Sequence, residues 1–221
     1  MNAPAPLVAL MTWSPWGMPT PEATFTPGAY VVLLVLGLCL GSFLNVVVHR
    51  LPRGASLAWP PSSCPECGHA IRPYDNVPVV SWLVLKGRCR DCQAPISPRY
   101  PVVELGTGIL LLGLAALLGP RLALLPAAVF ALALLAIALI DLDFRIIPDE
   151  LSIGGLIVGL AARGLTLDGV LAGMIGALVG LGSLYLVAAG YRRATGVEGL
   201  GGGDVELAGM IGAFLGWPGV F

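Results

Sequence analysis

Long apolar runs constrain this chain more than any other feature of its sequence. A helix needs about 20 apolar residues to cross the hydrocarbon core of a bilayer, and runs of that kind recur along most of the chain. Hydrophobic residues make up 57% of the sequence, against about 45–50% in soluble domains. We therefore predict an all-α polytopic protein of the lipid bilayer, with about six transmembrane helices. The predicted helices cover residues 29–48, 103–119, 122–140, 150–166, 168–190 and, less completely, 205–221.

Residues 1–28 differ from the rest of the chain. They contain six prolines, no Lys or Arg, and only a short apolar run from Leu7 to Met11. A secretory signal requires a basic start and a longer apolar core. We predict an irregular, non-cytoplasmic tail and no cleaved signal.

Basic residues are concentrated between the first two spans. Residues 49–102 hold seven of the twelve Lys and Arg residues, and an excess of positive charge marks the cytoplasmic side of a membrane protein. With spans that alternate, Arg145 and the Arg192–Arg193 pair fall on the same side, which leaves Arg121 and Arg163 opposite. The formal net charge of −1 gives no reason to expect nucleic acid as a partner, because affinity for nucleic acid depends on neutralised phosphates.

Two C-x-x-C motifs lie in this basic region. Cys64 and Cys67 form the first and Cys89 and Cys92 the second, with 21 residues between them, close to the spacing of tetrahedral zinc sites. Four thiolates leave no open position for water, so the zinc would be structural and would fold residues 49–102 into a small domain. Disulfides or idle thiols are the alternatives, and His69 is a possible substitute ligand. Cys39 is predicted to be an inert packing residue of the first span.

Two acids stand next to predicted spans. Asp141 follows a long apolar run, where a negative charge opposes the helix dipole, and Asp204 precedes the last apolar run. The predicted topology places both at the cytoplasmic face. Carboxylates that share a proton can activate water and polarise a carbonyl, so the pair is a candidate aspartyl protease site. Asp204 also suits an N-cap or first helical turn.

Glycines at 201–203 would allow a peptide backbone to approach Asp204 closely. Asp143 is the rival for Asp141. Two residues along a helix turn a side chain by about 200°, so Asp141 and Asp143 cannot both face Asp204 if the helix continues.

Residues 171–180 and 207–216 carry nearly the same decapeptide, LAGMIGALVG and LAGMIGAFLG. The repeat could reflect duplication, but we interpret its small residues as helix-packing positions.

These motifs together resemble bacterial type IV prepilin peptidases, which are GxGD-type membrane aspartyl proteases. The resemblance runs from about residue 35 to the end and includes GSFLNVVVHRLP (41–52), the C-x-x-C pair, RYPVVEL (99–105), Asp141 ahead of Ile-Pro-Asp, and GGGD (201–204). It implies a zinc-binding domain at 49–102 and a transmembrane protease domain at 103–221.

The resemblance also implies an activity. Members of the family remove the leaders of type IV prepilins and pseudopilins at the cytoplasmic face of the bacterial inner membrane. Many also N-methylate the new terminus with S-adenosylmethionine, although this sequence shows no Gly-rich cofactor motif. By position, the catalytic pair is Asp141 and Asp204, Gly201 and Gly203 support the catalytic loop, and the four cysteines bind structural zinc.

Two features depart from the family. Glu206 stands where the family usually has Lys, and a negative charge there would raise the pKa of a neighbouring carboxyl group. Family members continue for about two further membrane segments, so the C-terminal domain is expected to be truncated or naturally shorter. A non-catalytic zinc-bearing scaffold and a transporter that relays protons through Asp141 and Asp204 are the alternative functions.

Overall fold

A computed structural model of the protein describes residues 24–164 and 167–220. The α-helices in this part of the chain are α1 (Pro27–Arg50), α2 (Val80–Val84), α3 (Arg99–Leu118), α4 (Leu124–Phe144), α5 (Asp149–Arg163), α6 (Leu167–Thr195) and α7 (Gly202–Leu215). Within the described ranges there is no β-strand, only two isolated bridges. The all-α prediction is confirmed.

Four helical stretches are long and apolar enough to cross a membrane: Pro27–Arg53, Arg99–Leu118, Leu124–Phe144 and Gly169–Thr195. All six predicted segments contain a helix, but α5 has 15 residues and α7 has 14. Both are shorter than the length of about 20 residues that a perpendicular span requires. Residues 1–23 of the predicted tail lie outside the described residues. Helix α1 starts at Pro27, and the hydroxyl of Thr26 caps it by accepting from the Ala29 N–H.

The chain divides into two compact units, and the N-terminal one ends at Pro120. In it, α1 and α3 pack so closely that glycine is required at the contact. A Cβ atom on Gly37 would lie 2.7 Å from the Cα of Gly108, and one on Gly41 would lie 2.6 Å from the Cα of Glu104. In a bilayer the hydrophobic effect does not drive helices together, because lipid is as apolar as the side chains. Small residues let the backbones approach closely, and this close packing stabilises the helix pair.

The C-terminal unit starts at Arg121 and contains α4 to α7. Its core consists of Ile137, Met210 and Phe214, with partly buried apolar side chains around them. Phe130 of α4 lies beside Phe214, with ring centroids 4.6 Å apart. Arg163, the last residue of α5, donates from Nε and Nη2 to the carbonyl oxygen of Phe214 at 3.0 and 2.9 Å. These contacts hold α4 and α5 against α7.

The two decapeptide repeats lie on neighbouring helices and touch each other. A Cβ atom on Gly176 of α6 would clash with the carbonyl oxygen of Gly212 in α7, and one on Gly180 would clash with that of Ala208. The repeats therefore form a backbone-to-backbone contact, which confirms their interpretation as packing positions. Cys39, in contrast, is exposed on α1, so its prediction as a packing residue was wrong.

Candidate active site and metal centre

Asp141 lies in the last turn of α4 and is exposed. The helix continues to Phe144 and ends where Arg145 takes a left-handed conformation. Phe130, Leu134 and Ile137 belong to the core cluster shared with α7, and their spacing of four and three residues defines one helix face. Asp141, four residues after Ile137, continues that face. Asp143 is turned about 200° from Asp141.

Asp204 lies in the first turn of α7, which starts at Gly202. The N–H group of Gly201 donates to Asp204 Oδ2 at 3.2 Å. The carboxylate thus caps the start of its own helix, where negative charge is favoured by the helix dipole. Gly201 has φ −72°, a value that any residue adopts, so no left-handed backbone explains this glycine.

The segment that follows Asp141 meets the start of α7. A Cβ atom on Gly203 would lie 2.8 Å from the Cβ atom of Ile147, so the space beside Gly203 is filled by Ile147. Ile147 also belongs to the partly buried residues around the core. The structure therefore brings the C-terminal end of α4 and the N-terminal end of α7 to one end of the C-terminal unit, and gives Gly203 a packing reason that the sequence did not show.

Glu206 faces a different neighbour from Asp204. Ser152 of α5 is fully buried and donates from its hydroxyl to Glu206 Oε2 at 2.7 Å. Two residues on a helix are separated by about 200° around the axis, so Glu206 faces α5 while Asp204 is turned away from it. Glu206, the acid that departs from the family pattern, therefore joins α7 to α5.

The four predicted cysteines form one cluster. Their sulfur atoms all lie within 4.8 Å of one another, and Cys64 Sγ and Cys92 Sγ are 3.8 Å apart. A tetrahedral ion with Zn–S bonds of about 2.3 Å would separate its sulfurs by about 3.8 Å, so the donor set fits zinc. All five cysteines lie in the described chain and are free thiols, and His69 is outside the cluster. The cluster could hold a metal ion.

The two C-x-x-C motifs have matching backbone geometry. Cys64 N–H donates to the carbonyl of His69 at 2.9 Å, and Cys89 N–H donates to that of Ala94 at 2.8 Å. Hydrogen bonds from the N–H groups of Cys67 and Glu66 lower the pKa of the Cys64 thiol from 9.0 to about 7, while desolvation and the neighbouring thiols raise the pKa of Cys67 and of Cys92. Donors of this kind favour the thiolate, which is the form that binds metal.

Ion pairs join the parts of the loop that carry the motifs. Arg90 binds Asp75 with two parallel bonds, Nε to Oδ2 at 2.8 Å and Nη2 to Oδ1 at 2.6 Å. Arg72 Nη2 lies 2.9 Å from Asp91 Oδ1. The Arg90 guanidinium also lowers the pKa of Asp75 below its usual range. These ion pairs therefore connect the two parts of the loop that carry the C-x-x-C motifs, and they do not require a metal.

The sequence analysis did not identify two polar residues, Ser152 and Glu104, as site candidates. Ser152 gave no signal, because an isolated Ser in an apolar helix has no periodic pattern. Glu104 of α3 is 7% exposed and accepts from the Val79 N–H at 2.7 Å. The sequence signal for Glu104 was its position as an acidic residue inside a predicted span, because such residues almost always pair with another polar group.

Comparison with known proteins adds family information to this geometry. The profile described as "Bacterial Peptidase A24 N-terminal domain" matches residues 35–118, and the one described as "Type IV leader peptidase family" matches residues 128–221. These matches fall within the two structural units. No solved structure matches the chain.

Curated relatives named "Prepilin leader peptidase/N-methyltransferase" are also similar. One from Myxococcus xanthus is 44% identical over 87% of this chain and 58% of its own length. Another from Aeromonas hydrophila is 41% identical over 86% of this chain and 75% of its own length, and one from Klebsiella pneumoniae is 40% identical over 84% of each. The chain spans little more than half of the length of the Myxococcus relative.

Proposed function

Because this chain belongs to the bacterial type IV leader peptidase family, we propose that it is a membrane aspartyl endopeptidase that removes the leaders of type IV prepilins and pseudopilins. One observation carries the proposal. Gly203, next to Asp204, lies against Ile147, six residues after Asp141, so two acids distant in sequence belong to chain segments that meet. The names of the relatives support the substrate class.

Asp141 and Asp204 act as the catalytic pair in this proposal. Two neighbouring carboxyl groups that share one proton have separated pKa values, so one is a base while the other is an acid. The base takes a proton from a water that attacks the scissile carbonyl, and the acid donates to the carbonyl oxygen. Asp141 is exposed and Asp204 partly so, which supports access for water and for an extended leader. Gly201 and Gly203 support the loop that carries Asp204.

Asp141 is favoured over Asp143 by helix periodicity. The face of α4 that packs in the α7 cluster includes Phe130, Leu134 and Ile137, and Asp141 continues it by four residues. Asp143 points about 200° away. The geometry of α4 therefore supports the assignment that the family motif suggests.

Zinc is the proposed occupant of the cluster of Cys64, Cys67, Cys89 and Cys92. Sulfur separations within 4.8 Å support it, and four thiolates leave no position for substrate or water. The ion would supply folding energy to the loop and take no part in peptide cleavage. We place this loop and the catalytic end on the cytoplasmic side of the bacterial inner membrane, since the loop holds most of the positive charge.

Methyl transfer from S-adenosylmethionine to the new N-terminus is proposed from the names of the relatives alone. The described residues contain no strand for a Gly-rich strand-turn-helix site of the dinucleotide-binding type. No side chain is assigned to the cofactor, and no step of cleavage depends on it.

The test is cleavage of a prepilin by the purified chain in detergent, with the product sized by mass spectrometry. We expect Asp141→Asn and Asp204→Asn each to abolish leader removal while zinc content stays at one ion per chain. Asn at 204 keeps an oxygen that can accept from the Gly201 N–H, so loss of activity would report lost acid chemistry and not a lost cap.

Asp143→Asn is the matched control and should cleave normally. If Asp143→Asn were inactive and Asp141→Asn active, the catalytic assignment would be wrong. If the parent chain left prepilin intact but moved protons across vesicles, and Asp141→Asn and Asp204→Asn each lost that proton movement, the transporter function would replace the protease.

A further inference from the structure

The short helix α2, Val80–Val84, has two different sides. Ser81 is buried and accepts from the Val77 N–H at 3.0 Å, and Trp82 donates from Nε1 to the Ile96 carbonyl at 3.1 Å. On the other side, Val80, Leu83 and Val84 are 55%, 62% and 69% exposed. Three large apolar side chains are thus exposed together on one side of α2, and grouped apolar exposure of this kind marks a contact surface for protein or membrane.

The depth of α2 relative to the membrane is set by Glu104. Its carboxylate accepts from the N–H group of Val79, the residue just before α2, at 2.7 Å. Glu104 is the sixth residue of α3, a helix of 20 residues. At 1.5 Å per residue α3 is about 30 Å long, the thickness of the hydrocarbon core. The Cα atom of Glu104 therefore lies about 7–8 Å inside the boundary at Arg99.

The packing of α1 gives the same depth. Gly41 of α1 lies against Glu104, and Asn45 Nδ2 donates to the Tyr100 carbonyl at 3.2 Å. The charged end of α1, with His49 and Arg50, thus lies beyond Tyr100, on the Arg99 side. Because Cβ bonds tilt toward the start of a helix, the Glu104 carboxylate lies between its own Cα atom and the boundary. With α3 spanning the hydrocarbon core, Val79 therefore lies between the boundary and a depth of about 7–8 Å.

The basic residues that follow α2 are consistent with a position near the membrane boundary. Lys86 and Arg88 are exposed and follow α2 directly. Interfacial helices bury an apolar face about 5–10 Å into the headgroup and acyl boundary and carry basic residues that attract anionic lipid.

We propose that α2 is a membrane-surface anchor, in which Val80, Leu83 and Val84 insert among lipid acyl chains while Lys86 and Arg88 contact anionic headgroups. The two C-x-x-C motifs precede and follow α2 in the chain, so the anchor would tether the cysteine cluster to the bilayer. This anchor is independent of the proposed protease chemistry.

Photo-crosslinking tests the anchor directly. The full chain carries p-benzoylphenylalanine at Leu83 or Val84, is reconstituted in vesicles of phosphatidylethanolamine and phosphatidylglycerol, and is irradiated. Val35, 53% exposed in the middle of α1, is the lipid-facing comparison, and exposed Glu66 in the first C-x-x-C motif is the solvent-facing one. Retention of one zinc ion per chain shows that each variant is folded.

We expect lipid adducts at positions 83 and 84 with a yield similar to position 35 and several-fold above position 66. Phosphatidylglycerol should be enriched among these adducts, and the enrichment should fall to the bulk lipid ratio in the Lys86→Gln, Arg88→Gln double variant. Adducts to protein, either within the chain or to a second copy, would overturn the proposal, as would zinc-loaded variants that label lipid only from position 35. If the double substitution left the phosphatidylglycerol enrichment unchanged, the proposed contact of Lys86 and Arg88 with headgroups would be wrong.

Discussion

Ser152 shows how a single side chain can determine the orientation of a helix. Its hydroxyl is fully buried on α5 and bonds the Glu206 carboxylate of α7 at 2.7 Å. Gly155, almost one turn further along α5, lies against Met210 of α7. The bond therefore fixes the rotation of α7 about its axis at the turn that also carries Asp204. A Lys at 206 could not accept this bond, which gives the acid at this position a structural reason.

We expect Ser152→Ala to lower the free energy of unfolding by about 1–3 kcal/mol, because the substitution removes a hydrogen bond to a charged group in a partly buried position. Thermal unfolding in detergent measures it. Ser183→Ala is the control, since the Ser183 hydroxyl bonds a carbonyl of its own helix, that of Gly180, and should change stability little. An equal loss for both variants would show that the Glu206 bond contributes nothing specific.

The Asp75–Arg90 pair predicts a pH dependence with a definite sign. Arg90 lowers the pKa of Asp75 in the folded loop, so the pair stabilises the fold above the unfolded pKa of about 3.9 and this contribution is lost only as pH falls through the lower folded value. Asp75→Asn should therefore reduce thermal stability by the same amount at every pH between 5 and 8. A difference that changes across this range would mean that another group dominates.

Part of the candidate site could be predicted at this scale. Helix periodicity separates Asp141 from Asp143, and cysteine spacing predicts the cluster, because both signals are local. The partners of Glu206 and Glu104 could not be predicted, since each bond joins residues that are distant in sequence and depends on how helices pack.

Among the helices, the contact between α6 and α7 depends on glycine. Gly180 lies against the carbonyl of Ala208, while Gly182, two residues later on the same helix, has open space where a Cβ atom would stand. The same substitution can therefore be made on both sides of one helix.

Gly180→Ala should destabilise the fold by about 1–3 kcal/mol, since its methyl group would meet the α7 backbone and force the helices apart. Gly182→Ala should be neutral or slightly stabilising, because alanine favours helix more than glycine does. Unfolding midpoints in detergent compare the two. Equal midpoints would indicate that the close approach does not occur in solution.

Helix type could be predicted from apolar runs, but helix ends were less accurate. The run from 205 to 221 suggested one segment, whereas α7 starts at Gly202 and ends before Gly216, where φ is +79°. Composition does not show this break, because an apolar run continues past it. Helix α2 was missed because its five residues carry too little periodic signal, and its position depends on the distant Glu104.

At the scale of the whole molecule, the metal is expected to determine whether the loop between α1 and α3 folds. The described loop has no strand and only one short α-helix and a few 3₁₀ turns. Structural zinc contributes about 10–16 kcal/mol in zinc-finger peptides, more than the ion pairs of this loop can replace.

Cys64→Ser should therefore lose zinc and expose the loop to proteolysis between Arg53 and Arg99, while the membrane helices stay helical. Cys39→Ser is the matched control, because Cys39 lies on α1 outside the cluster. It should retain one zinc ion per chain and the proteolytic pattern of the parent. Zinc measured by plasma mass spectrometry and limited proteolysis read out the two effects. Full zinc content in Cys64→Ser would contradict the four-cysteine site.

The glycine contact between the two repeats also limits how the protein can evolve. Gly176 and Gly212 each lie against the backbone of the other helix, so both positions already have the smallest residue that exists. In most packed cores a larger side chain on one element can be compensated by a smaller one opposite. Here no smaller residue remains, so Gly176 and Gly212 can change only if the two helices move apart.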